Sequence, residues 1–186
     1  MDLFTVFFIA LGLAMDAFAV SIAFGVITKR NRTKKALLLG FMFGGFQMIM
    51  PIIGWSAGYT FRSFISNIDH WIAFVLLFFI GIKMIYEALK IEDLEHTETD
   101  TTALILLGIA IATSIDALAV GISFAFLQVS IVFPILVIGI ITFVLSFLGI
   151  FIGNKYGRLF EKKIEVFGGL ILVFIGFKIL VSHLLM

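Results

Sequence analysis

Gly12-Leu-Ala-Met-Asp16-Ala-Phe-Ala-Val-Ser-Ile-Ala-Phe-Gly25 sets a carboxylate inside a run that is otherwise apolar enough to cross a membrane. About twelve apolar residues lie on either side of Asp16, which puts it near the centre of a bilayer span. An ionised carboxylate at that depth costs at least about 2.5–3.5 kcal/mol on insertion scales, so an intramembrane acid marks a functional site by default. The chain then repeats itself. Ile115-Asp116-Ala-Leu-Ala-Val-Gly-Ile-Ser-Phe124 restates Met15-Asp16-Ala-Phe-Ala-Val-Ser-Ile-Ala-Phe24. One buried acid can be an accident of packing; two in the same motif point to a shared role.

The 186 residues are 62% hydrophobic and 13% charged, with a mean hydropathy of +1.21. No soluble domain of this length can hide that much apolar surface, so the chain reads as an all-α integral membrane protein. The absence of cysteine excludes disulfides, thiolate metal sites and cysteine nucleophiles. Three scattered histidines argue against a soft nitrogen–sulfur zinc site. The N-terminal run carries Asp16 and lacks a basic leader, so it does not read as a cleaved signal peptide.

Cutting at the polar clusters leaves six spans, at 3–27, 36–60, 71–90, 102–127, 131–154 and 164–185. Lys29, Arg30, Arg32, Lys34 and Lys35 follow the first span, and Lys155, Arg158, Lys162 and Lys163 follow the fifth. The positive-inside rule therefore places those linkers in the cytoplasm and both termini outside. The acidic linker at 93–101 falls on the cytoplasmic side by the same alternation, as a solvated hinge or a cation-collecting patch. It divides a first three-helix repeat, 1–92, from a second, 102–186. Ile80-Gly-Ile-Lys83 is echoed by Ile175-Gly-Phe-Lys178, and Gly40, Gly54 and Gly58 are matched in sequence with Gly139, Gly153 and Gly157. Three spans per repeat is odd, so the second repeat enters the membrane inverted relative to the first. Inverted repeats with a site at mid-depth are a signature of secondary transporters.

Small residues flank both acids at helical spacing: Gly12, Ala19 and Ala23 around Asp16, and Gly108, Ala112, Ala119 and Ser123 around Asp116. They predict that spans 1 and 4 pack together and bring the carboxylates side by side. In span 2, Pro51 has no amide hydrogen and frees the Gln47 carbonyl, so Gln47 offers two oxygens at that depth. Thr113, one turn before Asp116, adds a hydroxyl unless it bonds back to its own helix. Met15 and Met48 are soft ligands or plain packing. Asp16, Asp116, Gln47 and Thr113 thus make a hard, oxygen-rich metal site suited to Mg²⁺, Ca²⁺ or Mn²⁺. Emptied, two neighbouring carboxylates favour retention of a proton, which allows metal-for-proton exchange. Lys83 and Lys178 are read as snorkelling residues, with Lys83 paired to Glu87. Trp55, Tyr59, His70 and Trp71 form an aromatic belt at the outer interface.

Gly12-Leu-Ala-Met-Asp16-Ala-Phe-Ala, Phe43-Gly44 through Pro51-Ile-Ile-Gly-Trp55, His70-Trp-Ile-Ala-Phe-Val-Leu, and Ala112-Thr-Ser-Ile-Asp116-Ala-Leu-Ala-Val-Gly121 resemble the MntP family of bacterial manganese efflux pumps, within the LysE-like exporter group. The likeness covers essentially the full length. It implies a six-span inner-membrane exporter of Mn²⁺, with Mn²⁺ as substrate, no resident cofactor, and Asp16 and Asp116 as the essential acids. Some relatives carry Glu in place of Gln47, so the charge of the site differs here. Two other readings are export of another small cation or an amino acid, and, from a different class, an intramembrane aspartyl protease. The protease reading lacks the Gly-x-Gly-Asp context, since Asp116 follows Thr-Ser-Ile; the expectation is a transporter and not an enzyme. Direction of transport, ion selectivity and oligomeric state are not legible in the residues.

Overall fold

A computed structural model describes residues 2–28, 30–61, 69–90, 103–156 and 161–184. All regular structure among them is helical: α1 (Leu3–Ile27), α2 (Arg32–Phe61), α3 (Asp69–Lys90), α4 (Ala103–Thr113), α5 (Ile115–Phe126), α6 (Val132–Tyr156) and α7 (Glu161–Leu184). Among the described residues four stretches, α1, Arg32–Thr60 of α2, Leu104–Phe126 and Val132–Lys155 of α6, are long and apolar enough to cross a membrane. The acidic linker lies outside the described residues.

Burial runs opposite to that of a soluble protein. Phe4, Phe41, Leu104 and Phe174 are among the most exposed side chains, while Gln47, Ser114, Thr142 and Ser146 are fully buried. A surface of this kind is stable against lipid, with polar groups turned inward toward other helices.

Sequence predicts one helix over 102–127; the backbone instead breaks at Ser114, between α4 and α5. The cause is local. Thr113 Oγ1 donates to the carbonyls of Ile109 and Ala110, and Ser114 Oγ donates to that of Ile111 at 2.9 Å. Two successive hydroxyls competing for helix carbonyls loosen the ladder. Leu13 and Ala14 hold the matching positions ahead of Asp16, and there α1 runs through unbroken.

The helices interleave. α1 packs most extensively on α6 and then on α7, α2 lies against both α6 and α5, and α3 sits on α7 and α5. The expected pairing of α1 with the Asp116 span is therefore not the main contact; α1 meets α4 only at its edge. Glycines on four helices allow close approach: Gly25 of α1 lies against Ile150, Gly121 of α5 against Pro51, and the others are on α2 and α6. A Cβ at Gly54 would stand 1.9 Å from the Leu118 carbonyl oxygen, and one at Gly58 would stand 3.1 Å from that of Ile122. On the other side, a Cβ at Gly149 would be 3.0 Å from the Phe18 oxygen and one at Gly153 would be 2.0 Å from that of Ile22. Gly44 and Gly139 face each other where α2 crosses α6. Packing thus matches Gly44, Gly54 and Gly58 with Gly139, Gly149 and Gly153. The register differs from the one read by sequence similarity. Gly108 has open space around it and does not serve as a contact.

Helix ends are satisfied by side chains and turns. Asn154 Nδ2 of α6 donates to the Gly25 and Thr28 carbonyls at the end of α1. After α5, Gln128 takes φ 56°, while its amide bonds to Ala125 and that of Val129 to Phe124. That is the left-handed closing turn usually given to glycine. It presents the Val129 carbonyl to Trp55 Nε1 at 3.2 Å. Trp55 also stacks on Tyr59 with ring centroids 5.3 Å apart.

Candidate metal site

Gln47 organises the interior. It is fully buried on α2, and its side-chain Nε2 donates to the Leu13 carbonyl of α1 at 3.0 Å and to the Thr113 carbonyl of α4 at 3.5 Å. Leu13 stands three residues before Asp16, and Thr113 stands three before Asp116. One amide nitrogen therefore ties together the same turn of both acid motifs. The two carbonyl oxygens can be no farther apart than the sum of those distances. The motif helices meet here through a polar bridge and not through a face of small residues.

Asp116 is buried at 5% exposure and lies in the first turn of α5. The break at Ser114 creates that N-terminus, whose free amides and dipole favour a negative charge. Its Oδ1 lies 3.4 Å from Lys83 Nζ of α3. The expected pairing of Lys83 with Glu87 involves a side chain outside the described residues; the contact with Asp116 is an additional one, drawn by a desolvated carboxylate. Asp16, on the uninterrupted α1, is partly buried. Lys178, the sequence counterpart of Lys83, points away from the interior, to Thr5 Oγ1 at 2.6 Å and Asp2 Oδ1 at 3.5 Å. The two lysines share a motif and occupy different places.

Of the four expected ligands, Gln47 stands between the two motifs with its Oε1 buried and unpartnered. Thr113 spends its hydroxyl hydrogen on its own helix and contributes its carbonyl to the bridge. Met48 packs against Gly139 of α6, and Met15 belongs to the apolar core. Among the described residues no three His, Asp or Glu side chains gather to hold a metal.

Sequence reasoning passed over two residues. Thr142 and Ser146 of α6 are fully buried, and their hydroxyls, like Gln47 Oε1, have no hydrogen-bond partner. Each such orphan costs roughly 1–3 kcal/mol. A Thr-x-x-x-Ser interval in an apolar span was the available signal, but hydroxyls in membrane helices ordinarily bond back to their own carbonyls.

The family model described as "Mntp: Putative manganese efflux pump" matches residues 29–180. "Putative manganese efflux pump MntP" of Crocosphaera subtropica is 53% identical over 185 residues, spanning 100% of this chain and 98% of that protein. The protein of the same name from Clostridium perfringens strain SM101 is 50% identical, with 98% and 96% covered. "Putative manganese efflux pump MntP 2" of Clostridium botulinum strain Hall is 49% identical, again with 98% and 96% covered. No solved structure matches. These relatives are named as pumps and not as enzymes, and with this identity along its whole length the chain belongs to the MntP family.

Proposed function

We propose that this protein exports Mn²⁺ across the bacterial inner membrane in exchange for protons. In this reading six spans form two three-helix halves of opposite orientation, with both termini outside. The Gln47 bridge carries the reading: one side chain holds the turns preceding Asp16 and Asp116 together in the bundle interior. The broken helix at Ser114 and the recurring glycine contacts support it, because discontinuous helices and repeated halves are how transporters build a site at mid-depth.

Two carboxylates would neutralise a doubly charged ion, and the carboxamide oxygen of Gln47 would replace part of its water. Oxygen donors suit Mn²⁺ better than copper or other soft ions. The relatives' names supply manganese and the outward direction. Once the ion has left, Lys83 offers Asp116 a counter-charge within the protein. The empty site thereby avoids a bare buried anion.

Uptake of radioactive Mn²⁺ into inverted membrane vesicles tests the proposal. Wild type should accumulate the ion and do so faster with an imposed pH gradient; Asp16→Asn and Asp116→Asn should reduce uptake to background. Full uptake in both variants would sink the acid-pair site, and indifference to the gradient would sink the proton exchange.

A further inference from the structure

Thr142 and Ser146 are unusual among the hydroxyls of this bundle. Ser21, Thr28, Thr60, Thr113 and Ser123 each donate to the carbonyl four residues back on their own helix. That bond is the default in a membrane helix, because it is always within reach. Thr142 and Ser146 do not make it, although both are fully buried. Their hydroxyls are held in the protein interior without a partner.

Position along α6 says what they face. Thr142, Ser146, Gly149 and Gly153 recur at intervals of four, three and four residues, which puts them on one face. Gly149 lies against Phe18 and Ser21 of α1, and Gly153 against Ile22, so the two helices run in the same direction here. One turn before Gly149, Ser146 is level with the Met15–Ala17 turn that carries Asp16. Thr142 comes a turn earlier still, level with Leu13, whose carbonyl accepts from Gln47. On α2, Gln47, Pro51, Gly54 and Gly58 recur at the same intervals; the last three lie against α5, and Gln47 bonds to α1 and α4. Thr142 is thus the α6 counterpart of Gln47, and both carry an orphaned buried oxygen.

We infer that Thr142 and Ser146 are ligands of the transported divalent cation, forming the α6 wall of the site opposite Gln47. The inference rests on the acid-pair reading above and extends it to a second side. Neutral hydroxyl oxygens coordinate a hard cation without adding charge. Two carboxylates then suffice to balance the ion, while the oxygens of Gln47, Thr142 and Ser146 replace water that it sheds. An unpartnered hydroxyl is costly in the empty protein and is repaid only when a cation arrives, so these two positions favour the loaded state.

The test uses the full chain in lipid nanodiscs, titrated with Mn²⁺ alone. The signal of free hydrated Mn²⁺ in electron paramagnetic resonance gives the affinity, and thermal midpoints are read with and without the ion. Thr142→Val and Ser146→Ala should each weaken binding about tenfold, the loss expected when one bond to a charged group goes. Thr142→Ser keeps the oxygen and should bind as wild type, as should Ser21→Ala, which removes a hydroxyl bonded to its own helix. Midpoints without Mn²⁺ should rise or hold in Thr142→Val and Ser146→Ala, while the Mn²⁺-dependent shift shrinks. Unchanged affinity in both, with Asp16→Asn weakened, overturns this assignment and leaves the acid pair standing. A lower midpoint without Mn²⁺ and an intact shift marks the hydroxyls as structural and overturns it too. Full affinity in Asp16→Asn and Asp116→Asn overturns the acid pair and this inference together.

Discussion

Lys83→Met separates two roles that the Lys83–Asp116 pair could have. At 3.4 Å the attraction between unit charges is about 5 kcal/mol at an effective dielectric of about 20, and about 1.2 kcal/mol in bulk water. Asp116 is nearly enclosed, with 6% of its side chain exposed, but Lys83 is 49% exposed, so solvent screens the pair substantially. A net value of roughly 1.5–3 kcal/mol lies between those limits. If Mn²⁺ must displace the ammonium to reach Asp116, that energy opposes binding. Methionine keeps most of the apolar stem and removes the charge, so Mn²⁺ affinity should rise about 10- to 100-fold. Stability without Mn²⁺ should fall by a comparable amount, because a buried carboxylate loses its counter-ion. The opposite signs are diagnostic. Titration calorimetry gives the affinity and thermal unfolding in nanodiscs gives the stability. Adding Asp116→Asn should restore stability, which isolates this pair from any other contact of Lys83. Equal or weaker Mn²⁺ binding in Lys83→Met would refute the displacement argument and make Lys83 an anchor for the Asp116 carboxylate.

Gly54→Ala should lower the thermal midpoint by the equivalent of about 1–3 kcal/mol or more, since its Cβ would sit 1.9 Å from a backbone oxygen. Gly108→Ala, with open space around it, should hold or gain about 0.5–1 kcal/mol; the same effect in both would mean that α2 and α5 are not in backbone contact. Gln47→Glu turns a donor into an acceptor facing the Leu13 and Thr113 carbonyls. It should therefore bind Mn²⁺ with a pH dependence steeper by about one proton than wild type, because the new carboxyl relieves the repulsion by holding either a proton or the ion. Parallel affinity profiles for wild type and variant between pH 6 and 8 would contradict that.

Much of the fold could be read because lipid demands so much of a sequence. The expected boundaries of the first, third, fifth and sixth spans fall within a few residues of α1, α3, α6 and α7. Long apolar runs cut by charge admit one secondary structure, since a helix satisfies its own backbone. Register and pairing were less accessible. Gly153 and Gly54 look alike in sequence, each near the end of an apolar run, yet Gly54 lies against Leu118 of α5 and Gly153 against Ile22 of α1, and by interval it is Gly149 that corresponds to Gly54. A slip of one turn preserves the apolar pattern of a helix, so similarity alone does not detect it. The partner of α1 was misjudged for a related reason. Small residues beside Asp16 allow close approach but do not say which helix approaches; the backbone contact is with α6, through Gly149 and Gly153 on that helix and Gly25 on α1.

The site divides along the cost of its parts. Asp16 and Asp116 stand out in the sequence because a carboxylate in lipid is too expensive to be incidental. Thr142 and Ser146 do not, because a hydroxyl is cheap wherever it can bond to its own helix, and only coordinates reveal that these two fail to. Thr113 and Ser114 show the reverse: their hydroxyls do bond locally, and in doing so they end α4. That break gives Asp116 a helix N-terminus, which the continuous α1 does not give Asp16. Lys83 reaches in to Asp116 while Lys178 reaches out to Asp2. Two matching motifs therefore sit in unequal surroundings.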